Sequence, residues 1–496
     1  MATQEESRTP GAEKGSTRGV APYETMLSST AYERMRAEHP AEFAPARVFF
    51  TRDARSAIDR RNSFRVKAML VYEAVTGHDV CGELSRVNRL LQVLAEACHS
   101  VIHGSQTNSD GSQTNSDELQ EHHGNLHVEP ENEQENEGED GSANPADTNA
   151  VEEKSELIDE GWDDKHKRVV DGIFLVVGFL PRLMEAIRKS VDREGVDESI
   201  KSGHMHDIVT DVIKLENQLS LKDLLDVAGV VEGLINETVG RNEFKGVKDS
   251  MIREYKLPFT KDAFGDVIHR FCWYYSPFFS KKPPAPPNGN GPFKGVATDD
   301  KMATRTLLDC LHQSVVPAPG TGARATGRPS RMPATRELRR SGVRFQASEN
   351  GHAEVEFKEQ TLRLPVLAYD FKLATVARNL LAREYEEQSK PLTRYFQMMN
   401  ELVEDAADVR VLRRAGVVRG GSRGAREVHE LIKNIDGHAT YPSVYMAMDR
   451  EIEKVRQHHN KRMKNFFVRN RPGVIWASSV AAVSAVAIAV ARRNRR

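Results

Sequence analysis

The sequence contains few cysteines, and their spacing gives no sign of a metal site or of cross-linking. Only four occur among 496 residues, and no two form a CxxC pair or have a histidine at ligand spacing. They are Cys81, Cys98, Cys272 and Cys310. Neither a structural zinc site nor a disulfide framework is therefore indicated. We expect free thiols in a reducing compartment, with no metal and no cofactor.

We also expect no secretory signal peptide, and the motifs of common enzyme classes do not occur in the sequence. Its N-terminus, MATQEESRTPGAEKG, has acidic residues and no apolar region of the kind that such a signal requires. No GxSxG, HExxH, protein-kinase or EF-hand motif occurs, and GNGPFKG lacks the GK[ST] ending of a phosphate loop. We predict a non-enzymatic protein with no catalytic residues and with its bulk in the cytosol. A membrane-tethered enzyme of unrecognised chemistry is the alternative.

Two short motifs carry reactive residue types without defining a site. The GHMHD stretch contains His204, His206 and Asp207, but an isolated HxH beside a glycine is more typical of a solvated turn. The stretch RVLRRAGVVRGGSRGAR is basic and glycine-rich, without the interleaved aromatics of a nucleic-acid-binding module. A solvated loop is the favoured interpretation there. We predict neither a metal site nor nucleic-acid binding.

Charge is distributed unevenly along the chain. Residues 104–160 contain 17 Asp or Glu and one Lys, begin with a tandem repeat of GSQTNSD, and have no aromatic residue. Such a segment buries too little apolar surface to offset its ordering entropy, so we predict a disordered insertion. Subtracting it from totals of 70 basic and 72 acidic residues leaves 69 and 55 elsewhere, an excess of 14 positive charges. This excess favours anionic lipid or an acidic partner, although basic residues scattered over solvated faces are commoner.

One long apolar run is present, near the C-terminus. The twenty positions from Pro472 to Ala491 contain no charged residue, and four arginines occupy the last five positions. Twenty helical residues span about 30 Å, the thickness of a bilayer's hydrocarbon core. We predict a transmembrane helix over 473–491, with its tryptophan near an interface. The expected anchor residues are Val474, Ile475, Trp476, Val480, Val483, Val486, Ile488 and Val490.

The position of this run predicts a tail anchor, a single-pass helix that binds membrane lipid and leaves the N-terminal bulk in the cytosol. A short, moderately apolar helix with a basic tail resembles the anchors of organelle outer membranes. Alanines four residues apart form a small-residue stripe, at Ala477, Ala481, Ala485 and Ala489. The stripe favours a helix-mediated homodimer, although so alanine-rich a segment also produces it by chance.

Most of the remaining sequence has helical periodicity. Apolar residues recur at three- and four-residue spacing in RVNRLLQVLAEACHSVI, VVDGIFLVVGFLPRLMEAI and DIVTDVIKLENQLSLKDLLDVAGVVEGLI. The stretch AEVEFKEQTLRLP alternates like two short strands joined by a turn. We predict a mainly α fold, a helical domain with a small β-hairpin element and a C-terminal transmembrane helix. The predicted segments are a disordered N-terminus (1–20), an N-terminal helical part (21–103), the acidic insertion (104–160), a central helical part (161–279), a Pro/Gly-rich linker around a short helix (280–333), the hairpin with further helices (334–470) and the transmembrane helix (473–491).

Five motifs, in this order, resemble those of the plant domain-of-unknown-function 247 family. They are Asp171-Gly172-Ile173-Phe174-Leu175, Leu215-Glu216-Asn217-Gln218, the Ala-x-x-Leu-x-x-x-Gly-Val-x-Phe segment from Ala334 to Phe345, Leu364-Pro365-Val366-Leu367, and the Asp-Val-x-x-Leu-x-x-x-Gly helix end from Asp408 to Gly416. The resemblance covers about residues 20–491. It implies a C-terminal membrane segment, unknown protein partners and a plasma-membrane or endomembrane location. It also implies a role in plant recognition or signalling, such as self-incompatibility.

The chain departs from the family pattern in three places, one of which is the basic tail after the predicted anchor, where the family has a short, uncharged tail. Ala21-Pro22-Tyr23 stands where the family has a longer Gly-Pro-Tyr-His-His-Gly, and Ser220-Leu221-Lys222 replaces a Pro-Phe-Phe. Glu216, Asn217 and Gln218 lie between two leucines. Because buried polar groups need hydrogen-bond partners, we expect these three side chains to form a structural network rather than a catalytic site.

Overall fold

The described chain consists mainly of helices, as predicted. The structure is a computed structural model that describes residues 27, 29–50, 57–76, 90–92, 94–99, 102, 163–200, 205–235, 263–281, 305–317, 330–420, 424–435, 442, 444–464 and 484. The helices are α1 (Thr30–Glu38), α2 (Pro40–Phe43), α3 (Ala57–Thr76), α4 (Asp164–Ile173), α5 (Leu180–Lys189), α6 (Arg193–Ile200), α7 (Met205–Val212), α8 (Leu221–Ile235), α9 (Phe264–Tyr275), α10 (Leu307–Val315), α11 (Thr335–Arg340), α12 (Leu373–Glu384), α13 (Pro391–Leu402), α14 (Ala406–Arg414), α15 (Ala425–Ile435) and α16 (447–464). Further helical turns lie at 90–92 and 94–99.

A π-helical segment, Phe174–Phe179, joins α4 to α5 and lies at the centre of the core. All six of its residues are buried, between α3 on one side and α8 on the other. Pro181, in the first turn of α5, has no N–H to donate to the carbonyl four residues before it. The N–H of Leu180 bonds to the carbonyl of Leu175, five residues back, which is the π pattern. The predicted buried helix is therefore present, with a local change of register beside the proline.

Two small sheets accompany the helices. The strands are β1 (Arg344–Ser348), β2 (Glu356–Lys358), β3 (Thr361–Pro365), β4 (Leu367–Ala368) and β5 (Val418–Arg419). β2 and β3 form the predicted hairpin, whose two-residue turn has positive φ at Glu359 (51°) and Gln360 (64°), the pattern of a type I′ turn. β1 pairs parallel with β3, and β4 pairs parallel with β5. The alternation of the sequence predicts the hairpin alone, because parallel partners lie far apart in the chain.

One continuous apolar core joins the described segments, with buried side chains from Tyr32 in α1 to Val455 in α16. Segments 21–103, 161–279 and 334–470 all contribute to it. So does α10, the short helix predicted within the linker 280–333, through buried Leu307, Leu308 and Leu311. The basic stretch expected to be a solvated loop is instead partly ordered, since it includes the end of α14 and β5.

Within the described ranges, no helix combines the length and the apolar character needed to cross a membrane. The predicted anchor residues, from Val474 to Val490, lie outside the described residues. The predicted disordered regions 1–20 and 104–160 also lie outside them.

Candidate functional site

Residues 215–218, here the LENQ turn, connect α7 to α8 and reach several distant segments. Asn217, only 2 % exposed, accepts a hydrogen bond from the Phe50 amide at 3.0 Å. Its Nδ2 donates to the carbonyls of Val48 at 2.5 Å and Asp211 at 3.1 Å. This side chain therefore ties the extended segment 48–50 to the end of α7.

Asp211, one turn before the LENQ turn, holds the same N-terminal segment. Its buried carboxylate accepts hydrogen bonds from the backbone amides of Ala46, Arg47 and Val48 at 2.7 to 3.0 Å. Lys214 pairs with it at 3.0 Å and donates to the carbonyl of Ala44 at 2.7 Å. A buried carboxylate with an ammonium partner and several N–H donors is well compensated for its lost hydration.

The other positions of the LENQ turn contact different elements. Glu216 accepts from the Tyr32 hydroxyl at 3.0 Å and pairs with Arg36 at 2.6 Å, so it reaches α1. Gln218 accepts from the Leu308 amide of α10 at 3.0 Å. The Leu215 amide donates to Asn379 of α12 at 2.8 Å. The LENQ turn thus organises four segments of the fold, and its polar atoms are used within the protein.

The first family motif lies in the core, beside α3 and α8. Asp171 pairs with Lys67 at 2.5 Å, and the same ammonium donates to the Phe49 carbonyl at 2.5 Å. A Cβ at Gly172 would lie 2.9 Å from the Val227 side chain, so the glycine permits close packing of α4 on α8. Both residues position helices, and neither faces the cavity described next.

A cavity of about 970 Å³ opens between α6, the start of α12 and the ends of β4 and β5. Seven charged side chains contribute to its lining, with five carboxylates against two guanidinium groups. The lining residues are Asp192, Arg193, Glu194, Asp197, Glu198, His206, Phe279, Ala368, Tyr369, Asp370, Phe371, Ala374, Arg419, Gly420 and Leu431. Polar groups that converge on a concave surface identify it as the candidate site.

An internal network of charges, here the charged floor, adjoins the cavity, and its members Arg193, Asp197 and Asp370 are lining residues. Arg193, 4 % exposed, donates to the Tyr274 carbonyl at 2.7 Å and lies 3.4 Å from an Asp370 oxygen. Lys372, 1 % exposed, pairs with Asp370 at 2.6 Å and with Asp197 at 3.3 Å. These two cations and two carboxylates largely neutralise one another.

The hydroxyl of Tyr274 completes this floor. It donates to Asp197 at 2.7 Å, and its ring lies 4.2 Å from the Lys372 ammonium. Burial, and then the charge of Asp197, raises the pKa of the Tyr274 hydroxyl well above its ordinary value. The hydroxyl therefore remains protonated and serves as a hydrogen-bond donor.

Exposed groups surround the cavity mouth. Glu194 and Glu198 lie one turn apart on α6, both exposed. The His206 ring packs on Phe371 with centroids 4.2 Å apart. Opposite them, Arg419 lies over the Phe279 ring at 5.0 Å and pairs with Glu349 at 2.5 Å. The mouth therefore offers free carboxylates and aromatic surface to a polar or cationic group.

Gly420 closes one wall of the cavity and has no room for a side chain. Its φ is +86°, and a Cβ there would lie 2.6 Å from the Tyr369 carbonyl oxygen. The Tyr369 amide in turn donates to the Arg419 carbonyl at 2.7 Å. A left-handed conformation this close to another backbone requires glycine.

The structure separates the residues that the sequence singled out. His206 reaches the cavity from the first turn of α7, where a solvated turn was expected, while Asp207 pairs with Arg47 at 3.3 Å. Glu216 and Asn217 lie elsewhere. The described residues of the lining include carboxylates, guanidinium groups and one imidazole, and no serine, threonine or cysteine.

Sequence reasoning missed the charged floor. One local signal was available, because Arg193 and Asp197 lie on the face of α6 that also carries Val196 and Ile200, all buried. Charged residues on an apolar helix face need partners, and such positions mark candidate sites. The partners themselves, Asp370 and Lys372, follow β4 in a distant part of the chain.

One cluster has residue types that bind metal ions. The ligand atoms of His99, Asp163 and His166 all lie within 4.8 Å of one another. The two histidine rings are stacked, with centroids 3.4 Å apart and an angle of 10° between their planes. A metal ion accepts lone pairs in the ring plane, and parallel stacked rings do not direct theirs at one point. Asp163 instead caps α4 through the His166 amide, a bond that lowers the pKa of its exposed carboxyl to about 2.

The last described helix, α16, is fixed to the body by buried charges. Asp449 accepts from Arg394 at 2.7 Å, and both side chains are 0 % exposed. The second oxygen of the same carboxylate accepts from the Met446 amide at 3.0 Å, at the start of the helix. Within the next two turns after Asp449, the buried side chains of Ile452 and Val455 join the core. The direction of α16 is therefore set by the folded body.

Comparisons with known proteins relate the chain to plant sequences. The sequence profile of DUF247, a plant protein family of unknown function, matches residues 167–490. A UPF0481 protein of Arabidopsis thaliana is 31% identical over 138 residues, 27% of this chain and 26% of the relative. The chain thus aligns with about a quarter of the length of that curated relative. No solved structure matches the chain.

Proposed function

Because the chain belongs to the DUF247 family of plant proteins of unknown function, we propose that it is a non-enzymatic protein anchored in a membrane through residues 473–491. Its helical body then presents an interaction surface to protein partners in the cytosol. Recognition or signalling at a plant membrane, such as self-incompatibility, is the role that fits this arrangement. The plasma membrane or an endomembrane is the proposed location, with an organelle outer membrane as the alternative from the basic tail.

The observation that carries the proposal is the attachment of α16 to the body. The described part of this helix extends to residue 464, eight positions before Pro472, where the uncharged run starts. No acidic residue lies between them in the sequence. The buried pair of Arg394 and Asp449 holds the helix in place. A membrane helix that follows so closely would keep the whole body near one bilayer surface. The family match extends to residue 490 and so includes most of the proposed anchor.

The anchor is tested by alkaline carbonate extraction of membranes from plant cells that express the full chain. We compare the full chain with a chain truncated after Arg471 and with a Val483→Asp variant. An aspartate near the helix centre costs about 2.5–3.5 kcal/mol of insertion free energy, which a marginally apolar segment does not tolerate. The full chain and a matched Val483→Leu control are expected in the pellet, and the other two in the extract. Retention of the truncated chain in the pellet contradicts the proposal.

The interaction role is tested by proximity labelling from the N-terminus in the same cells. A defined set of labelled proteins on one membrane, lost when the chain is truncated after Arg471, supports an anchored interaction protein and identifies its compartment. An unchanged set after truncation contradicts it.

A membrane-tethered enzyme is the second candidate, because the cavity collects carboxylates above buried charges. The full chain would then convert a component of a plant metabolite extract, as seen by mass spectrometry. Replacing both mouth carboxylates, Glu194→Gln with Glu198→Gln, would abolish that conversion without disturbing the core, since both side chains are exposed. Conversion that persists in the double variant excludes the cavity as the active site.

A further inference from the structure

Exposed basic side chains gather around the last described turn of α16. This set, here the basic end, consists of Arg344, Lys358, Lys461, Arg462 and Lys464, all of them exposed. Three come from the last turn of α16, one from the start of β1 and one from β2. The sequence places β1 and α16 more than a hundred residues apart, so only the fold brings them together.

The β2–β3 turn is the point at which these elements meet. The Arg344 amide donates to the Gln360 carbonyl at 2.8 Å, and its guanidinium donates to the Glu359 carbonyl at 3.2 Å. Arg462 donates to the side-chain oxygen of Gln360 at 3.3 Å. Earlier in α16, Glu451 accepts from the Phe357 amide at 2.9 Å and fixes the helix along the hairpin. The basic end is therefore one surface with a defined orientation.

The charges of the basic end are not neutralised by the protein around them. Within the described part of the chain, none of these five side chains forms an ion pair with a carboxylate. The β2–β3 turn that they surround contains one acidic residue, Glu359. Two cations earlier in α16 differ, because Lys454 pairs with Glu451 at 2.6 Å and Arg456 with Glu453 at 3.1 Å. Like charges held close together repel, and a complementary anionic surface removes that repulsion.

The length of the following chain places the basic end near the proposed membrane. Eight residues, 465–472, separate the described part of α16 from the predicted anchor, and two of them are Arg469 and Arg471. Eight fully extended residues span at most about 28 Å, and eight helical residues span about 12 Å. Basic clusters beside a membrane helix bind anionic headgroups, an attraction that acts within a Debye length of about 8 Å.

We propose that the basic end rests on anionic lipid headgroups of the membrane that holds the anchor, so that the body is oriented with the β2–β3 turn against the bilayer. This inference relies on the proposed function for the position of the bilayer. It adds a second contact, between protein surface and lipid, that sets which face of the body is turned to the cytosol. The cavity at α6 and β5 then has a fixed orientation relative to the membrane.

The test uses the full chain reconstituted into vesicles of phosphatidylcholine alone or with phosphatidylserine. Acetylation of Lys358, Lys461 and Lys464 by an amine reagent is measured by mass spectrometry, with Lys222 of α8 as an exposed reference. With phosphatidylserine we expect these three lysines to react about fivefold more slowly than in neutral vesicles, and about 0.5 M salt to remove the protection. Lys222 should react equally in both.

A charge-reversal variant provides the matched control. The combined Lys461→Glu, Arg462→Glu and Lys464→Glu variant should lose the protection of Lys358, whereas Arg450→Glu, exposed at the other end of α16, should keep it. Equal lysine reactivity in both vesicle types, with the chain still resistant to carbonate extraction, overturns the inference and leaves the anchor intact. Protection by RNA or an acidic peptide but not by phosphatidylserine also overturns it.

Failure of the anchor is distinguished separately. If carbonate extracts the chain from vesicles, the proposed function fails. Flotation of the chain with vesicles then tests whether the basic end binds lipid by itself. Flotation with phosphatidylserine vesicles and not with neutral ones supports lipid binding by the surface itself. If the chain floats with neither vesicle type, the inference about the basic end is overturned.

Discussion

Asn217 shows how one side chain replaces missing backbone partners. The segment 48–50 belongs to no strand or helix, so its buried amides and carbonyls need hydrogen bonds from elsewhere. Asn217 satisfies the Phe50 amide and the Val48 carbonyl with one amide group. Its short, planar side chain offers an acceptor and two donors together, which neither Asp nor Ala provides.

Replacing this residue, Asn217→Ala, should therefore leave a buried N–H and a buried carbonyl without their partner. We expect the free energy of unfolding to fall by about 3 kcal/mol, since each unsatisfied group costs about 1–3 kcal/mol. Urea unfolding of the full chain in mild detergent measures the change. The exposed Asn350→Ala serves as control and should shift stability by no more than about 0.5 kcal/mol. Equal effects of the two substitutions would falsify the structural role of Asn217.

At the scale of elements, close helix packing determines the centre of the fold. α4 and α8 approach until a side chain at Gly172 would overlap Val227, and the π-helical segment continues the buried surface toward Pro181. A glycine within a helix lowers helical propensity by about 1 kcal/mol, so its presence is explained by the packing. Both α4 and α8 were recognisable in the sequence as helical stretches, whereas their packing against each other was not.

The contact between Gly172 and Val227 is testable by a double-mutant cycle. Gly172→Ala places a Cβ 2.9 Å from Val227 and should destabilise the fold, because a packed core has little room to shift. Val227→Ala removes the obstructing methyl groups, so the double variant should be more stable than the sum of the single effects by about 2 kcal/mol. Chemical unfolding of all four chains gives the coupling energy. Strictly additive effects would show that the two helices do not meet at these residues.

For the molecule as a whole, the single core controls the ionisation of the three buried cysteines that the structure describes. Burial raises the pKa of the Cys98 and Cys310 thiols from 9.0 to about 12, and raises that of Cys272 as well. Unfolding returns each pKa to its ordinary value, so the unfolded chain loses these protons between pH 9 and 12 while the folded chain keeps them. The stability that depends on neutral thiols is thus fully present below pH 9 and declines above it.

We expect the free energy of unfolding to decrease above pH 9 by about 1.4 kcal/mol per pH unit for each of these thiols. Denaturant titrations at several alkaline pH values measure the slope. Cys98→Ala should reduce the slope by the contribution of one thiol, whatever its effect on stability at neutral pH. An unchanged slope in this variant would mean that Cys98 is not protected from ionisation by the folded core.

The sequence by itself determined the features that depend on neighbouring residues. Periodicity predicted the mainly helical class, the buried helix around Asp171 and the hairpin of β2 and β3, because side-chain spacing along one element reports the face that it buries. The motif order indicated the plant family, which the profile match confirmed. We expected a structural network from Glu216, Asn217 and Gln218, because buried polar groups need hydrogen-bond partners. The residues that serve as those partners were not predictable.

Only the tertiary structure decided which distant residues meet. Asp211 binds amides at Ala46 to Val48, Lys372 pairs with Asp197, and β1 aligns with β3, none of which local spacing reveals. Such contacts depend on how whole elements pack, since an ion pair or a parallel strand pair joins segments with unrelated sequence patterns. The cavity and the basic end arise in the same way, from charges that are isolated in the sequence and adjacent in the fold.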